Sequence, residues 1–245
     1  MTHTPAYTAE QIRIAEAPLL ANGEPLMARA AAALAKLTRQ IGGFADESDA
    51  APLHPHPTTH ARHLLVLAGS GNNGGDALFA AAHLAEEVDV DILVVGARVH
   101  EQGLAAAMAA GARRVEIPAV RDTLEPYDLV LDGILGIGTA ADPALHGNAR
   151  EAVEALLPTV RDGRTRVIAV DLPSGLHPDT GEAGEAVLPA SVTVTFGAVK
   201  PGLVRGRGPE LAGDIVLVDI DVLDELDGFE PSEWADVSRI VRAPR

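Results

Sequence analysis

The sequence predicts an α/β protein, in particular a three-layer αβα, Rossmann-like sandwich with a mostly parallel sheet. From residue 63 onward, short apolar segments alternate with segments of helical periodicity, which is the pattern of strand–helix–strand units. The apolar segments are nearly continuous, as expected of strands that are covered on both faces. A chain of 245 residues is long enough to bury such a core in one domain.

Two helices are expected before the first of these strands. The first begins after Thr8, which can cap it together with Gln11 three residues later, and Pro18 is expected to end it. The second follows in an Ala-rich segment. It is expected to stop at the Gly42-Gly43 pair, because glycine favours helix termination.

A polar, Pro-rich segment, residues 44–62, separates these helices from the first strand and is predicted to be a loop. It contains three histidines, His54, His56 and His60. Histidines in such a loop are more often solvated than bound to a metal, so a solvated loop is the favoured interpretation and a metal site is the alternative.

Seven strands and three helices are expected after this loop. The strands are predicted at residues 63–68, 90–96, 113–117, 127–132, 166–171, 191–196 and 214–220. The helices are predicted at about residues 75–87, 101–111 and 148–160. No helical pattern separates the last two strands, which leaves open a mixed sheet at that end. The acidic residues 223–245 are predicted to be a tail or linker, so that the domain comprises residues 1–222.

The composition disfavours several functional classes. The formal net charge of −16 opposes binding to nucleic acid and to anionic membranes, which are themselves negatively charged. The absence of cysteine excludes disulfides, thiolate nucleophiles and cysteine-ligated zinc. No apolar segment approaches the ~18 residues of a membrane-spanning helix, and no signal peptide is recognised, so a cytoplasmic protein is expected.

The segment GSGNNGGD, residues 69–76, follows the first strand and has the glycine spacing of a dinucleotide-binding loop. Such a loop is normally accompanied by an acid at the end of the second strand, about 20 residues later, which binds a ribose hydroxyl. Here the second strand ends with VVGAR, and Asp89 and Asp91 lie at its start. An NAD-dependent dehydrogenase is therefore disfavoured, although a 2′-phosphate is a conceivable partner for Arg98.

Asp76 also argues against a pyrophosphate at the start of the next helix. It is expected in the first helical turn, where its charge satisfies the helix dipole and repels an anion. A simple helix cap is the alternative.

The loops after two other strands begin with Asp132 and Asp171. Since parallel strands end at one edge of the sheet, these acids and the asparagines of the Gly-rich loop are expected to share a site. Together with the hydroxyl of Ser174, their oxygen atoms suit a hard cation.

Four segments occur in an order and spacing that point to one family. They are VLAGSGNNGGDALFAAAHL, YDLVLDGILGIG, VIAVDLPSGLHPDTGEAG, and ASVTVTFGAVKPGL followed by GPELAGDIVLVDIDV. Over residues 8–222 the chain resembles the YjeF N-terminal domain family, the NAD(P)H-hydrate epimerases. The combination of N-N-G-G-D, D-x-P-S-G and T-F-G-x-x-K-P-G is far more specific than the glycine spacing alone.

The resemblance implies an isomerase that interconverts the R and S epimers of hydrated NADH and NADPH, damaged cofactors with a hydroxyl on C6 of the nicotinamide ring. It also implies a potassium ion, K+, and a homodimer. Some fused relatives carry a C-terminal dehydratase domain, which would begin where this chain ends. A non-catalytic nucleotide-binding or scaffold module that uses the same pocket stays open as the alternative.

The resemblance also implies the site residues. It places potassium on Asn73, Asp132 and Ser174. It places the hydrated nucleotide on the following residues: Asn72, Asn73, Gly74, Gly75 and Asp76; Gly136, Ile137, Gly138, Thr139, Ala140, Ala141 and Asp142; and Asp171. Lys200 lies in the T-F-G-x-x-K-P-G segment without an assigned role, and the loop of residues 136–142 contains no cation for a phosphate.

Epimerisation at C6 requires the C6–O bond to break and to re-form on the other face of the ring. A carboxyl group that is buried enough to hold a proton near neutral pH can serve as acid and as base. Asp171 is expected to be this proton carrier, because it ends a strand in the predicted cleft. The alternative is that Asp171 only ties the Pro173-Ser174-Gly175 turn.

Overall fold

The computed structural model describes residues 1–43, 63–138 and 142–244. The histidine-containing loop and residues Thr139, Ala140 and Ala141 lie outside the described residues. The strands are β1 (Thr2–Ala6), β2 (His63–Ala68), β3 (Asp89–Val94), β4 (Arg113–Val115), β5 (Leu129–Gly133), β6 (Arg166–Val170), β7 (Val192–Phe196), β8 (Asp214–Asp219), β9 (Glu233–Val237) and β10 (Arg239–Arg242). The helices are α1 (Ala9–Ala21), α2 (Leu26–Gly42), α3 (Asn72–Leu84), α4 (Glu101–Ala109), α5 (Ile117–Arg121), α6 (Gly147–Arg161) and α7 (Gly208–Leu211), with 3-10 turns at Pro201–Leu203 and Leu223–Leu226.

Eight of the described strands form one sheet in the order β10-β8-β7-β6-β5-β2-β3-β4, and every neighbouring pair is parallel. The chain moves outward from β2 to β4 on one side and then returns to the other side of β2 with β5. Strand order therefore reverses between β2 and β5, and the loops that leave these strands diverge there. Such a switch point is where open α/β sheets bind ligands.

The sheet is covered on both faces, as the near-continuous apolar strands predicted. Alternate residues along β2 face opposite layers: Leu64 and Val66 pack with helices α1–α4, whereas Leu65 and Leu67 pack with α5 and α6. The predicted three-layer αβα architecture is confirmed. Within the described residues, no helix combines the length and apolar composition that are needed to cross a bilayer.

Helix α1 begins as predicted but does not end at Pro18. Thr8 and Gln11 form the predicted reciprocal capping box, and Pro18 lies inside a helix that continues to Ala21. A proline removes one backbone donor, but its fixed φ is compatible with a helix. Leu19, the next residue, packs on the core, which keeps the last turn in place. Helix α2 ends at Gly43 in the left-handed conformation, as expected.

The structure corrects two sequence interpretations of the last third of the chain. The mixed sheet that was left open is wrong, because β7 and β8 are parallel and the short helices at Pro201–Leu203 and Gly208–Leu211 make the crossover between them. Residues 233–242 are not an irregular tail: β9 pairs with β1, and β10 extends the main sheet. Their alternating pattern buries Ala235 and Val237 in the core, a signal that the acidic composition concealed. The domain boundary at residue 222 stays a prediction.

Candidate functional site

The loops after β2, β5 and β6 converge at the switch point, and glycine makes this close approach feasible. A Cβ on Gly69 would overlap the carbonyl of Ile134 in the loop after β5, and one on Gly74 would overlap the carbonyl of Gly69. Likewise, a Cβ on Gly136 would overlap the side-chain amide of Asn73. The glycines therefore pack the first turn of α3 against the loop after β5, which is a structural role.

Asn73, Asp132 and Ser174, the three predicted potassium ligands, lie in one hydrogen-bonded cluster. The Ser174 amide donates to Asp132 Oδ2 at 2.9 Å, and the Leu135 amide donates to Ser174 Oγ at 2.9 Å. Asn73 Nδ2 donates to the carbonyls of Leu135 at 3.1 Å and Val170 at 2.6 Å. The predicted convergence of these side chains is thus present.

The chemistry of this cluster fits a hard cation. Asp132 and Ser174 have no exposed surface, and no lysine, arginine or histidine among the described residues pairs with Asp132. Burial raises the pKa of the Asp132 carboxyl, and its hydrogen bonds from Ser174 and Ile134 lower that pKa only in part. A carboxylate, a hydroxyl, an amide and backbone carbonyls form an oxygen donor set of the kind that alkali and alkaline-earth ions prefer. The described residues contain no cluster of three or more acidic, histidine or cysteine side chains that could hold a metal ion.

A cavity of about 250 Å³ opens beside this cluster, between the start of α3 and helices α1 and α2. Four titratable residues line it, Glu16, Asp76, Asp171 and Lys200, together with Asn72, Asn73 and the apolar side chains of Leu26, Met27, Ile137, Phe196 and Ile220. Its lining thus combines apolar side chains with three carboxyl groups and one ammonium group. A planar ring with a polar substituent suits such a space.

Asp171 is held by donors that all reach one oxygen atom. Asp171 Oδ1 accepts from the Thr195 hydroxyl at 3.2 Å, from the Phe196 amide at 3.2 Å and from the Lys200 ammonium. Asp171 Oδ2 accepts no hydrogen bond from any described residue. Three donors, one of them charged, stabilise the carboxylate form of Asp171. Its backbone has a φ of 71°, a conformation that non-glycine residues rarely adopt and that concentrates at functional sites.

Lys200 is the charge partner of Asp171, a role that sequence analysis did not assign. Its side chain is 2% exposed, and its ammonium also donates to Thr195 Oγ1 at 3.1 Å and to the Phe196 carbonyl at 2.9 Å. A buried lysine needs such partners, because an isolated ammonium is costly to remove from water. The T-F-G-x-x-K-P-G segment had singled out Lys200 without indicating its partner.

Asp76 is not a helix cap, so that interpretation is wrong. Helix α3 begins at Asn72, about three residues earlier than predicted, and no side chain caps it. Asp76 therefore lies in the second turn of α3, is 7% exposed and lines the cavity, and its Oδ1 is buried without a hydrogen-bond partner. Burial raises the pKa of Asp76 well above its usual range. The charges of Asp171 and Glu16 raise it further, and Lys200 opposes them.

Glu16 is a cavity residue that sequence analysis missed. It lies on α1, which is far from the strand-end motifs in sequence but covers the cavity in the fold. Burial is the main cause that raises the pKa of its carboxyl. Nothing in the local sequence indicates which neighbour this face of α1 meets, so the sequence gives no reason to single out Glu16.

A second cavity, of about 580 Å³, adjoins the first where Asn72, Asn73 and Ile137 line both. The starts of α3 and α6 line it, and neither has a side-chain cap, so their backbone amides are available to an anion. Arg98 also lines this cavity, and Ser70 bonds to both its backbone amide and its carbonyl. Among the described arginine side chains, only those of Arg98 and Arg161 have neither a hydrogen bond nor an ion pair.

The structure brings most of the predicted binding residues to these two cavities. Asn72, Asn73, Asp76, Ile137 and Asp171 line the first; Asn72, Asn73, Gly136, Ile137, Gly138 and Asp142 line the second. Gly74 and Gly75 line neither, and lie instead in the packed interior of α3. Thr139, Ala140 and Ala141 are outside the described residues. The loop of residues 136–142 contains no cation, and Arg98 lines the second cavity beside it.

Comparison with known proteins yields consistent relationships. The model of a family described as "YjeF-related protein N-terminus" matches residues 23–202. A Microbacterium testaceum protein named NAD(P)H-hydrate epimerase is 51% identical over 241 residues, which cover 98% of this chain and 88% of that protein. A Clavibacter michiganensis protein of the same name is 47% identical over 92% of this chain and 93% of that protein. The crystal structure of the yeast protein ynu0, YNL200c, has a TM-score of 0.68 at 20% identity over 95% of this chain and 97% of that structure, a likeness of fold.

Proposed function

The chain belongs to the family of YjeF-related N-terminal proteins, and from this premise we infer that it is an isomerase that epimerises hydrated NADH and NADPH. The observation that carries this function is the first cavity, where Asp76 and Asp171 line the same small space beside the Gly-rich loop. This arrangement supplies carboxyl groups next to a ring-sized site, as the reaction requires. Homodimer formation and a cytoplasmic location stay predictions.

Each of the two adjoining cavities is assigned to one half of the substrate. The smaller cavity takes the hydrated nicotinamide ring, because its apolar wall suits a ring and its carboxyl groups suit the C6 hydroxyl. The larger cavity takes the phosphate-bearing half of the nucleotide. There the uncapped starts of α3 and α6 offer backbone amides, and Arg98 offers an unpaired positive charge.

Asp171 is the proposed base of the reaction. Lys200 and the Phe196 amide both donate to its Oδ1 and fix its orientation, while Oδ2 has no described partner and is left for the ligand. When water returns to C6, this carboxylate takes the proton that the water must lose. Positioned groups of this kind contribute about 10²–10⁴-fold in rate.

Asn73, Asp132 and Ser174 are the residues that would hold potassium. When bound there, the ion supplies the positive charge that the buried Asp132 lacks. It thereby stabilises the loops after β5 and β6, which carry cavity residues. It is not needed to generate hydroxide, since a monovalent ion polarises water weakly compared with zinc.

The test of this function is the conversion of one purified epimer of hydrated NADH into the other by the pure protein. Asp171→Asn is expected to lower turnover at saturating substrate by at least about a hundredfold. The amide cannot exchange a proton near pH 7, but it can still accept from Lys200. The variant also leaves Lys200 without a charge partner, so turnover must be measured at a temperature where both proteins are folded.

Asp89→Asn is the matched control, because Asp89 is an exposed aspartate at the opposite end of the sheet. It is expected to leave turnover unchanged. Wild-type protein that binds the hydrate without converting it would support the binding-module alternative instead. Near-normal saturated turnover in Asp171→Asn would remove the proposed role of Asp171 and keep the function.

A further inference from the structure

Epimerisation needs a group that protonates the departing hydroxyl, and Asp171 is poorly placed for that task. Its Oδ1 accepts three hydrogen bonds, one from the buried ammonium of Lys200. These donors occupy Oδ1 and orient the carboxyl group, so that Oδ2 is the oxygen left to accept from a ligand. This geometry suits the group that accepts a proton from water, and the departing hydroxyl then needs its proton from a second group.

We propose that Asp76 is the general acid that protonates the C6 hydroxyl, and that Asp171 is its partner base on the other face of the ring. This inference rests on the epimerase function proposed above. Asp76 lines the same cavity as Asp171, is 7% exposed, and has its Oδ1 buried without a hydrogen-bond donor among the described residues. A buried carboxylate without a donor is costly, whereas the protonated acid is neutral and has a proton to give.

The charges around Asp76 favour the protonated form. Asp171 from the end of β6 and Glu16 from α1 are both acidic, and Lys200, the one cation among the described residues that line the cavity, is engaged by Asp171. Burial and the two acids raise the pKa of Asp76, and Lys200 lowers it only in part. Two carboxyl groups in environments that differ in this way can divide acid and base work.

The proposed step balances in atoms and charge. Asp76 donates its proton to the C6 hydroxyl, the C6–O bond breaks with both electrons leaving on water, and the lone pair on the ring nitrogen forms a C=N bond. Water then adds to the opposite face of C6 and loses a proton to Asp171. The proton returns from Asp171 to Asp76 through water in the cavity, so the cycle needs no other reactant.

The experiment compares epimerisation with exchange of the hydroxyl oxygen in ¹⁸O-labelled water, starting from one purified epimer. Breaking the C6–O bond exchanges the oxygen whether or not the ring is inverted. Asp76→Asn is expected to lower both rates at least about a hundredfold, because the bond no longer breaks. In Asp171→Asn, the rate of oxygen exchange is expected to be at least tenfold higher than the residual rate of epimerisation. Asp76 still releases the hydroxyl in this variant, and it takes the proton back when water returns on the same face of the ring.

Glu16→Gln tests the rival assignment of the acid, since it also replaces a cavity carboxyl by an amide, and it is expected to lower both rates less than tenfold. Glu10→Gln is the control, because Glu10 is an exposed acid on the same helix, and it is expected to leave both rates unchanged. If Asp76→Asn keeps both rates within tenfold of wild type, or if Glu16→Gln loses them instead, the assignment to Asp76 is wrong. If Asp171→Asn loses exchange and epimerisation equally, the division into acid and base is wrong. Absence of epimerisation in wild type would overturn the proposed function itself, so the two failures are distinguishable.

A stability measurement separates a catalytic role from a structural one. The pKa of Asp76 is higher in the folded than in the unfolded state, so the folded protein binds the proton more tightly. The contribution of this proton to wild-type stability is therefore lost as the pH rises above about 4, the pKa of an aspartate in the unfolded chain. Asn has no such titration. The melting temperature of Asp76→Asn relative to wild type is therefore expected to increase between pH 4 and pH 8. A variant that is less stable than wild type by the same amount at every pH would contradict a buried, protonated Asp76.

Discussion

Lys200→Met tests the buried ion pair on which the electrostatics of the first cavity depend. The substitution keeps an unbranched side chain of similar length but removes the ammonium. Asp171 then keeps its hydrogen bonds from Thr195 and Phe196 but loses its only charge partner among the described residues. The buried carboxylate is left uncompensated, which is the costly outcome for a buried pair.

The expected magnitude follows from burial. The two side chains are 2% and 7% exposed, so solvent screens the pair little. Removing one member of a buried pair costs about 3–5 kcal/mol, and a protein of this size loses about 2–4 °C in melting temperature per kcal/mol. Lys200→Met should therefore lower the melting temperature by roughly 6–20 °C.

Thermal and urea unfolding at pH 7 measure this loss. Lys36→Met is the matched control, because Lys36 is the only other lysine of the chain and is exposed on α2; the change there should stay within about 0.5 kcal/mol. The double variant with Asp171→Asn should show a coupling energy of about 1–3 kcal/mol with Lys200→Met. A Lys200→Met protein within about 1 kcal/mol of wild type would refute the reasoning, since the ion pair would then contribute little.

Two further predictions concern the proposed ligands. Potassium should raise the melting temperature relative to choline at equal ionic strength, by about 5–10 °C when its concentration is a hundred times Kd. Asp132→Asn should abolish this difference. Equal melting temperatures of the wild-type protein in the two salts would argue against the cation site. Arg98→Ala should raise the KM for hydrated NADPH about tenfold through loss of a charge-assisted contact with the 2′-phosphate, and change that for hydrated NADH less than twofold. Arg161→Ala is the control, because Arg161 is the other described arginine whose side chain has no partner, and it should alter neither KM. An equal effect of Arg98→Ala on the KM of both substrates would exclude a contact with the 2′-phosphate.

Much of the site could be predicted because its signals are local. Asp132 and Asp171 follow apolar strands directly, and a parallel sheet brings the ends of such strands to one edge. The glycines of residues 69–76 mark a close approach of backbone, which the overlaps at Gly69 and Gly74 explain. Periodicity and turn chemistry act over a few residues, so one sequence suffices to read them.

Strand pairing at the chain ends is a different case. Strand β1 contains a proline and pairs with β9, more than 220 residues later. Strand β10 joins the main sheet beside β8 although its segment is charged. Each of these strands is marginal in its own sequence and is stabilised by the neighbour it meets, because propensity for strands depends mostly on packing and burial.

The sequence determined the fold class, the strands from β2 to β8, and which loops carry the polar residues. Only the tertiary structure decided the electrostatics of the site. Lys200 reaches Asp171 across 29 residues, Glu16 reaches the cavity from the first helix, and Asp76 has a buried oxygen without a donor. Desolvation and charge pairing depend on which atoms surround a group in space, and a local pattern of residues does not specify those atoms.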